Sequence, residues 1–145
     1  MPKEIQKQSS DFPGISFACE SVRLEFFDTK STDPRVRAFA LELALFAHQN
    51  DINLEVTQIR RSKKSQVAIY GFDKPSGHRE LPARAVDFSV RNMTGRSISL
   101  LTEHFNAYLK IAPFYSLICH DVGAGKHLHL QVPQSRHNCP DKADS

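Results

Sequence analysis

One long segment with helical periodicity most constrains the fold of this chain. Asp33 precedes Pro34, and an aspartate followed by proline at the first helical position is typical of a helix start. Apolar residues then recur at helical spacing, and they are Val36, Phe39, Ala40, Leu41, Leu43, Leu45 and Ala47. The pattern predicts a core helix over residues 34–49, whose apolar face must be covered by other elements.

Short segments of alternating polar and apolar residues surround this helix and predict strands. The strand candidates are residues 22–26, 54–59, 84–90, 114–119 and 127–132. Residues 97–110 have the pattern of a second amphipathic helix, and residues 65–70 fit a short helix or a strand. Because the segments do not alternate as regular βαβ units, we expect an α+β fold in which helices flank an antiparallel sheet of about four strands.

The length and the polar ends predict the domain organisation. A chain of 145 residues fits one compact domain. Residues 1–14 and 134–145 are rich in polar residues and are expected to be a loose N-terminal segment and a polar C-terminal tail, leaving a domain over residues 15–133. The longest apolar run is interrupted by Glu42 and is shorter than the ~20 residues that span a bilayer, so we expect no membrane insertion.

Cysteine usage and charge exclude several classes of site. The three cysteines, Cys19, Cys119 and Cys139, are widely spaced, which indicates neither a disulfide framework nor a cysteine zinc cage. A net charge of +3 is a mild bias towards anionic partners. The basic run Arg60-Arg61-Ser62-Lys63-Lys64 is compatible with a small nucleic-acid-binding domain. This interpretation is less favoured than the two that are developed below.

Two histidines near the end of the domain share one face of a predicted strand. His127 and His129 are two residues apart, so their side chains project on the same side, while Leu128 and Leu130 point to the other. Two adjacent imidazoles are unfavourable to protonate together. A shared metal ion or an acid/base role would explain the pair, and so would a surface strand that carries two histidines by chance.

A second pair lies earlier in the chain. His78 is in a loop flanked by Gly and Pro residues, and Asp87 is on a predicted strand. Each residue alone also fits an ordinary surface role. Together with a histidine from the last strand they make three nitrogen and oxygen ligands, and catalytic zinc sites use three protein ligands and leave a fourth position for water.

These motifs resemble the zinc D,D- and L,D-peptidases that act on peptidoglycan, a family that includes D-Ala-D-Ala carboxypeptidases, murein endopeptidases, phage endolysins and the Hedgehog amino-terminal domain. The family pattern is Ser-x-His, then small-x-Ala-x-Asp, then a C-terminal strand with His-x-His. The matching segments here are Ser76-Gly77-His78, Arg84-Ala85-Val86-Asp87 and His127-Leu128-His129. Upstream, residues 56–62, Gln66 and Ile69-Tyr70 are similar to the stretch that precedes these motifs in the family, so the resemblance covers residues 54–132.

The resemblance implies a Hedgehog/DD-peptidase-like fold and a zinc (Zn²⁺) site with the ligands His78, Asp87 and His129. It implies that His127 is the catalytic histidine that moves a proton, and that Arg61, or else Arg60, engages the substrate's carboxylate or carbonyl. Gln66 and Ser76 are the further substrate-binding candidates.

The resemblance also implies a metallopeptidase that hydrolyses peptidoglycan stem or cross-link peptides. The polar N-terminus shows no secretory signal, so we expect a protein made in the cytoplasm and released to the cell wall during lysis or carried in a virion, as phage endolysins are. We also expect it to be a monomer.

The sequence departs from the family pattern in two places. The segment between His78 and Asp87 is longer than is usual, and Lys126 stands where some members carry the carboxylate base. These departures leave His127, Asp121 or Glu80 as the base. They also leave open a catalytically inactive zinc-binding interaction domain of the same fold.

Overall fold

A computed structural model describes residues 8–9, 12–109, 116–121 and 125–133. The described elements, in chain order, are β1 (Gln8–Ser9), β2 (Ile15–Phe17), α1 (Glu20–Phe27), α2 (Pro34–Gln49), β3 (Leu54–Gln58), α3 (Lys63–Tyr70), a 3₁₀ turn (Gly77–Arg79), β4 (Ala85–Ser89), α4 (Gly95–His104), a π-helical turn (Phe105–Leu109), β5 (Ser116–Asp121) and β6 (Lys126–Gln131). The predicted α+β class is confirmed.

The strands form one mixed sheet in the order β1-β2-β3-β4-β6-β5. β3, β4, β6 and β5 pair antiparallel, as expected, but β2 runs parallel to β3, so the prediction of an antiparallel sheet is wrong for this pair. A parallel pair needs a long crossover, and α1 and α2 supply it. β2 is three buried residues long, too short for its alternation to be read in the sequence.

The strand predicted over residues 22–26 is also wrong, because these residues belong to α1. Phe26 and Phe27 are adjacent, yet both rings pack against Phe17, with centroids 5.2 and 5.7 Å away. Neighbouring residues of a strand point to opposite faces, whereas on a helix both can contact one partner. Arg23 pairs with Glu20 one helical turn earlier, which supports the helix locally.

The helix predicted over residues 34–49 is confirmed as α2. The Asp33 side chain accepts a hydrogen bond from the Arg35 backbone N–H at 2.8 Å and so caps the first turn. α2 buries one face against the sheet, where Val86 and Phe88 of β4 lie opposite Leu130 and Leu128 of β6, all fully buried. The other face of these strands is left for polar side chains.

The remaining predictions hold with shifted ends. Residues 54–59 and 84–90 contain β3 and β4, residues 127–132 overlap β6, which begins one residue earlier, and residues 65–70 are helical, within α3. Residues 97–110 contain most of α4 and its π-helical turn, and residues 114–119 overlap β5; positions 110, 114 and 115 lie outside the described residues. Of the predicted loose ends, Gln8–Ser9 pairs with β2, whereas residues 1–7 and 134–145 lie outside the described ranges. Within those ranges, no helix is long and apolar enough to span a bilayer.

Candidate metal centre

The polar face of the antiparallel strands carries a row of facing side chains. Asp87 on β4 lies opposite His129 on β6, and His127 on β6 lies opposite His120 on β5. Residues directly opposite each other in an antiparallel pair project on the same side with Cβ atoms ~5 Å apart. The strand register alone therefore places one carboxylate and three imidazoles together.

The 3₁₀ turn adds His78 from above the sheet. The turn packs closely on the sheet. A Cβ added to Gly77 would lie 2.9 Å from the Ala85 side chain on β4 and 3.1 Å from Oε1 of Gln131 on β6. Only glycine permits this approach without displacing a neighbour. The Arg84 backbone N–H donates to the Gly77 carbonyl and holds the turn in place. His78 is consequently almost fully buried, with 1% of its surface exposed.

His78, Asp87 and His129 form a compact triangle of possible ligand atoms. Nε2 of His78 lies 3.1 Å from Oδ1 of Asp87, and Nδ1 of His129 lies 2.9 Å from the same oxygen. The two histidine nitrogens are 3.3 Å apart. The structure thus brings together the three predicted ligands in a group that could hold a metal ion.

Hydrogen bonds on the far side of each ring select the nitrogen that faces Asp87. Nδ1 of His78 donates to the Ile59 carbonyl, and Nδ1 of His127 donates to the Gly125 carbonyl. Nε2 of His129 lies 3.1 Å from Oε1 of Gln131 and donates to it. In their neutral forms the three rings therefore turn an unprotonated nitrogen towards Asp87 Oδ1, an arrangement that needs protons or a metal ion between these atoms.

The environment of Asp87 favours its ionised form. Burial alone would raise the pKa of its carboxyl, but hydrogen bonds and charges from His129 and His78, which act when the ring nitrogens facing Asp87 carry protons, hold this pKa well below its usual range. The other oxygen, Oδ2, faces the Arg61 guanidinium at 3.5 Å. Asp87 is therefore an anion with one oxygen paired to a buried cation and the other turned to the histidines.

Two histidines flank the triangle. His127 places Nε2 3.5 Å from Asp87 Oδ1, and its ring lies 6.4 Å from that of His129, compared with 5.1 Å between His78 and His129. Burial, with the nearby His129 and His127, lowers the pKa of His120. Of the carboxylates considered as bases, Glu80 is paired with Arg84, and Asp121 accepts a hydrogen bond from the Gly125 backbone N–H.

A cleft of about 150 Å³ opens over the histidines. Its described lining is Arg61, Tyr70, Lys74, Ser76, His78, His120, His127, His129 and Gln131. Of the predicted substrate-binding residues, Ser76 and Arg61 are in this lining. Gln66 is fully buried behind it, where it bonds to Arg61 and to the Lys74 carbonyl, and Arg60 is on the exposed surface, outside this described lining.

The guanidinium of Arg61 is already engaged by the protein. It donates to Gln58 at 2.9 and 3.1 Å and to Gln66 at 3.0 Å, in addition to its pairing with Asp87, and the residue is 3% exposed. A β-bulge between Val56 and Gln58 aligns Gln58 with Asp87 across the strands and brings it to this position. Arg61 therefore orients Asp87 through its pairing with Oδ2.

Sequence reasoning missed two residues of this site. Gln131 orients His129, and its position two residues further along the same strand was a signal that could have found it. Lys74 lines the cleft with its ammonium 4.5 Å from the centre of the Tyr70 ring, and it forms no ion pair with any residue that the structure describes. No local pattern marks Lys74.

Comparison of the chain with protein-family models, with curated proteins and with solved structures gives no match.

Proposed function

We propose that this protein is a zinc-dependent peptidase that hydrolyses a peptide bond in peptidoglycan stem or cross-link peptides, as an endolysin does. The observation that carries the proposal is the spacing of the triangle. Ligand atoms held about 2.0 to 2.1 Å from a tetrahedral zinc are about 3.3 to 3.4 Å apart. The three separations of 2.9, 3.1 and 3.3 Å are close to that value, so small shifts would suffice for binding.

The donor set also fits zinc. Two imidazole nitrogens and one carboxylate oxygen are ligands that zinc accepts, and three protein ligands leave a fourth position open to water or substrate. Bound zinc supplies polarisation of the scissile carbonyl and acidification of a water molecule. The hydrogen bonds that His78 and His129 donate to Ile59 and Gln131 hold each ring in the tautomer whose other nitrogen is free to bind a metal ion.

The flanking residues supply the remaining functions. His127 is next to the triangle and 12% exposed at its side chain, so its ring nitrogen can accept a proton at the mouth of the cleft and return it to the leaving amine. Lys74, whose ammonium is unpaired among the described residues, can bind a substrate carboxylate, a role that the engaged guanidinium of Arg61 is poorly placed to take.

The first test combines metal content with wall lysis. The purified, untagged protein should contain one zinc per chain, and it should reduce the turbidity of purified cell walls unless a chelator is present. His127→Ala should keep the zinc and lose most of the lysis, because it removes the proton carrier and leaves the ligands. A protein without bound metal would overturn the proposal.

A second function, a zinc-binding interaction domain without catalysis, is favoured by two observations. Lys126 stands where some members of the peptidase family that the motifs resemble carry a carboxylate base. The guanidinium of Arg61 already donates hydrogen bonds to Gln58 and Gln66. Zinc binding by the wild-type protein without wall lysis would support this function. Lysis that depends on His127 would exclude it.

The nucleic-acid interpretation receives less support. The basic run at residues 60–64 lies in the loop after β3 and the start of α3, and Arg61 turns inward instead of joining its neighbours at the surface. Burial of Arg61 therefore leaves three exposed cations in the run, Arg60, Lys63 and Lys64.

A further inference from the structure

A second group of histidines lies beside the triangle. His120 and His127 face each other across β5 and β6, with ring centroids 4.7 Å apart, and His120 is 5.2 Å from His129. One ring nitrogen from each of the three histidines lies within 4.8 Å of the other two. This outer group is distinct in composition from the triangle, with which it shares only His129.

His120 has an unused nitrogen in this group. Its Nε2 atom is buried and has no hydrogen-bond partner among the residues that the structure describes. A buried polar atom without a partner is unfavourable, and such atoms are rare in folded proteins. The neutral His127 ring donates through Nδ1 to the Gly125 carbonyl, so its Nε2 atom, 3.5 Å from Asp87 Oδ1, carries the lone pair that can bind an ion.

His129 belongs to both groups, but one ring nitrogen cannot bind an ion in each of them. Nδ1 of His129 faces Asp87 and His78, and its Nε2 is bonded to Gln131. While the triangle holds an ion, an ion in the outer group therefore depends on His120 and His127, with solvent in its other positions. Fewer protein ligands should make this outer site weaker than the triangle.

We propose that His120 and His127 form a second, weaker binding site for a transition-metal ion such as Zn²⁺ beside the triangle. Imidazole is a good ligand for zinc, copper and nickel, and a facing pair on neighbouring strands offers two such ligands without rearranging the backbone. An ion at this site occupies His127. If the triangle is the zinc site of the proposed peptidase, excess metal withdraws the proton carrier and slows the reaction.

The test is a titration of the metal-free, untagged protein with Zn²⁺, in which binding is measured by calorimetry. We expect a tight step of one equivalent and a weaker second step. His120→Ala should lose the second step and keep the first, and His120→Gln, which preserves a polar side chain, should do the same. His48→Ala, on the exposed end of α2, is the matched control and should keep both steps.

The polar tail is controlled separately. His137 and Cys139 are two residues apart in the sequence and could bind metal by themselves, so the titration is repeated in a His137→Ala, Cys139→Ser background. The second step should persist there. Its loss in this background would assign the weak site to the tail and overturn the proposal.

Two other outcomes also overturn it: a wild-type protein that shows the tight step without a weaker one, or a second step that both His120 variants retain. Failure of the proposed function gives a different result. The tight step would be missing in the wild-type protein, while a weak step that His120→Ala and His120→Gln remove would still support the outer site.

Discussion

Asp87 divides its two carboxylate oxygens between different partners. Oδ2 faces Arg61, and Oδ1 is within 3.5 Å of a ring nitrogen of His78, His127 and His129. Each of these rings is held from behind by an acceptor, so the residues around Asp87 fix both the charge of the carboxylate and the direction of the imidazole lone pairs. These contacts, made by residues outside the triangle, leave its ligand atoms arranged so that they could hold a cation.

Gln131 provides the residue-scale prediction. Gln131→Ala removes the acceptor for Nε2–H of His129, so the His129 ring loses its preferred tautomer and orientation. Zinc affinity should fall by about 10- to 100-fold, measured by competition with a chromophoric chelator. Gln131→Glu keeps an acceptor at this position and should bind zinc as tightly as the wild-type protein. Equal affinity of the alanine variant would show that Gln131 does not orient the ligand.

Part of this site could be predicted from the sequence because it depends on spacing within one strand. The rest depends on contacts between distant segments and could not. His127 and His129 follow the two-residue period of a strand, so their common face was predicted, and Gln131 follows the same period although it was not recognised. The roles of Arg61 and His120 depend on contacts between distant segments. Burial of Arg61 requires Gln58, Gln66 and Asp87 around it, and His120 meets His127 only because of the register between β5 and β6. No spacing within one segment specifies these contacts.

At the scale of elements, α2 carries a capped start that can be tested. Asp33 accepts from the Arg35 backbone and pairs with the Arg35 side chain at 2.8 Å. Asp33→Ala should lower the free energy of unfolding by about 1 kcal/mol, as loss of a helix cap generally does. Urea denaturation followed by circular dichroism measures this difference.

The same cap has a predictable pH dependence. Burial alone would raise the pKa of Asp33, but its bonds with the Arg35 side chain and backbone lower it. A carboxyl with a lowered folded-state pKa stabilises the fold above its unfolded pKa of about 3.9, and the contribution is lost as pH falls through the folded-state value. The stability gap between the wild-type protein and Asp33→Asn, which lacks the charge, should therefore shrink as the pH falls below about 4, and not between about pH 7 and about pH 5. A constant gap would contradict the role of the charge.

Helix and strand periods decided which elements were predictable. α2 is long and has a clear apolar face, and its predicted range is the observed one. α1 is short and buries only Phe26 fully, so three alternating apolar residues looked like a strand. The packing of Phe26 and Phe27 on Phe17 decides in favour of the helix, and this contact joins segments that the local pattern treats separately.

At the scale of the whole molecule, the triangle ties together distant parts of the chain. His78 comes from the 3₁₀ turn, Asp87 from the middle of the sheet and His129 from the last described strand. These three side chains meet only in the folded protein, so an ion that binds all three stabilises the folded state over the unfolded chain. Metal binding and global stability are consequently linked.

The size of this linkage gives the last prediction. At a free zinc concentration about 100 times Kd, the folded state gains ~2.7 kcal/mol, which corresponds to a Tm increase of roughly 5 to 10 °C over the protein in chelator. His129→Ala should lose this increase, because it removes a ligand, whereas His127→Ala should keep it. Comparing each variant with and without zinc cancels its own effect on stability. If His127→Ala also abolishes the increase, His127 is a fourth ligand, the position needed for water or substrate is filled, and the zinc-binding domain without catalysis becomes the better account of this site.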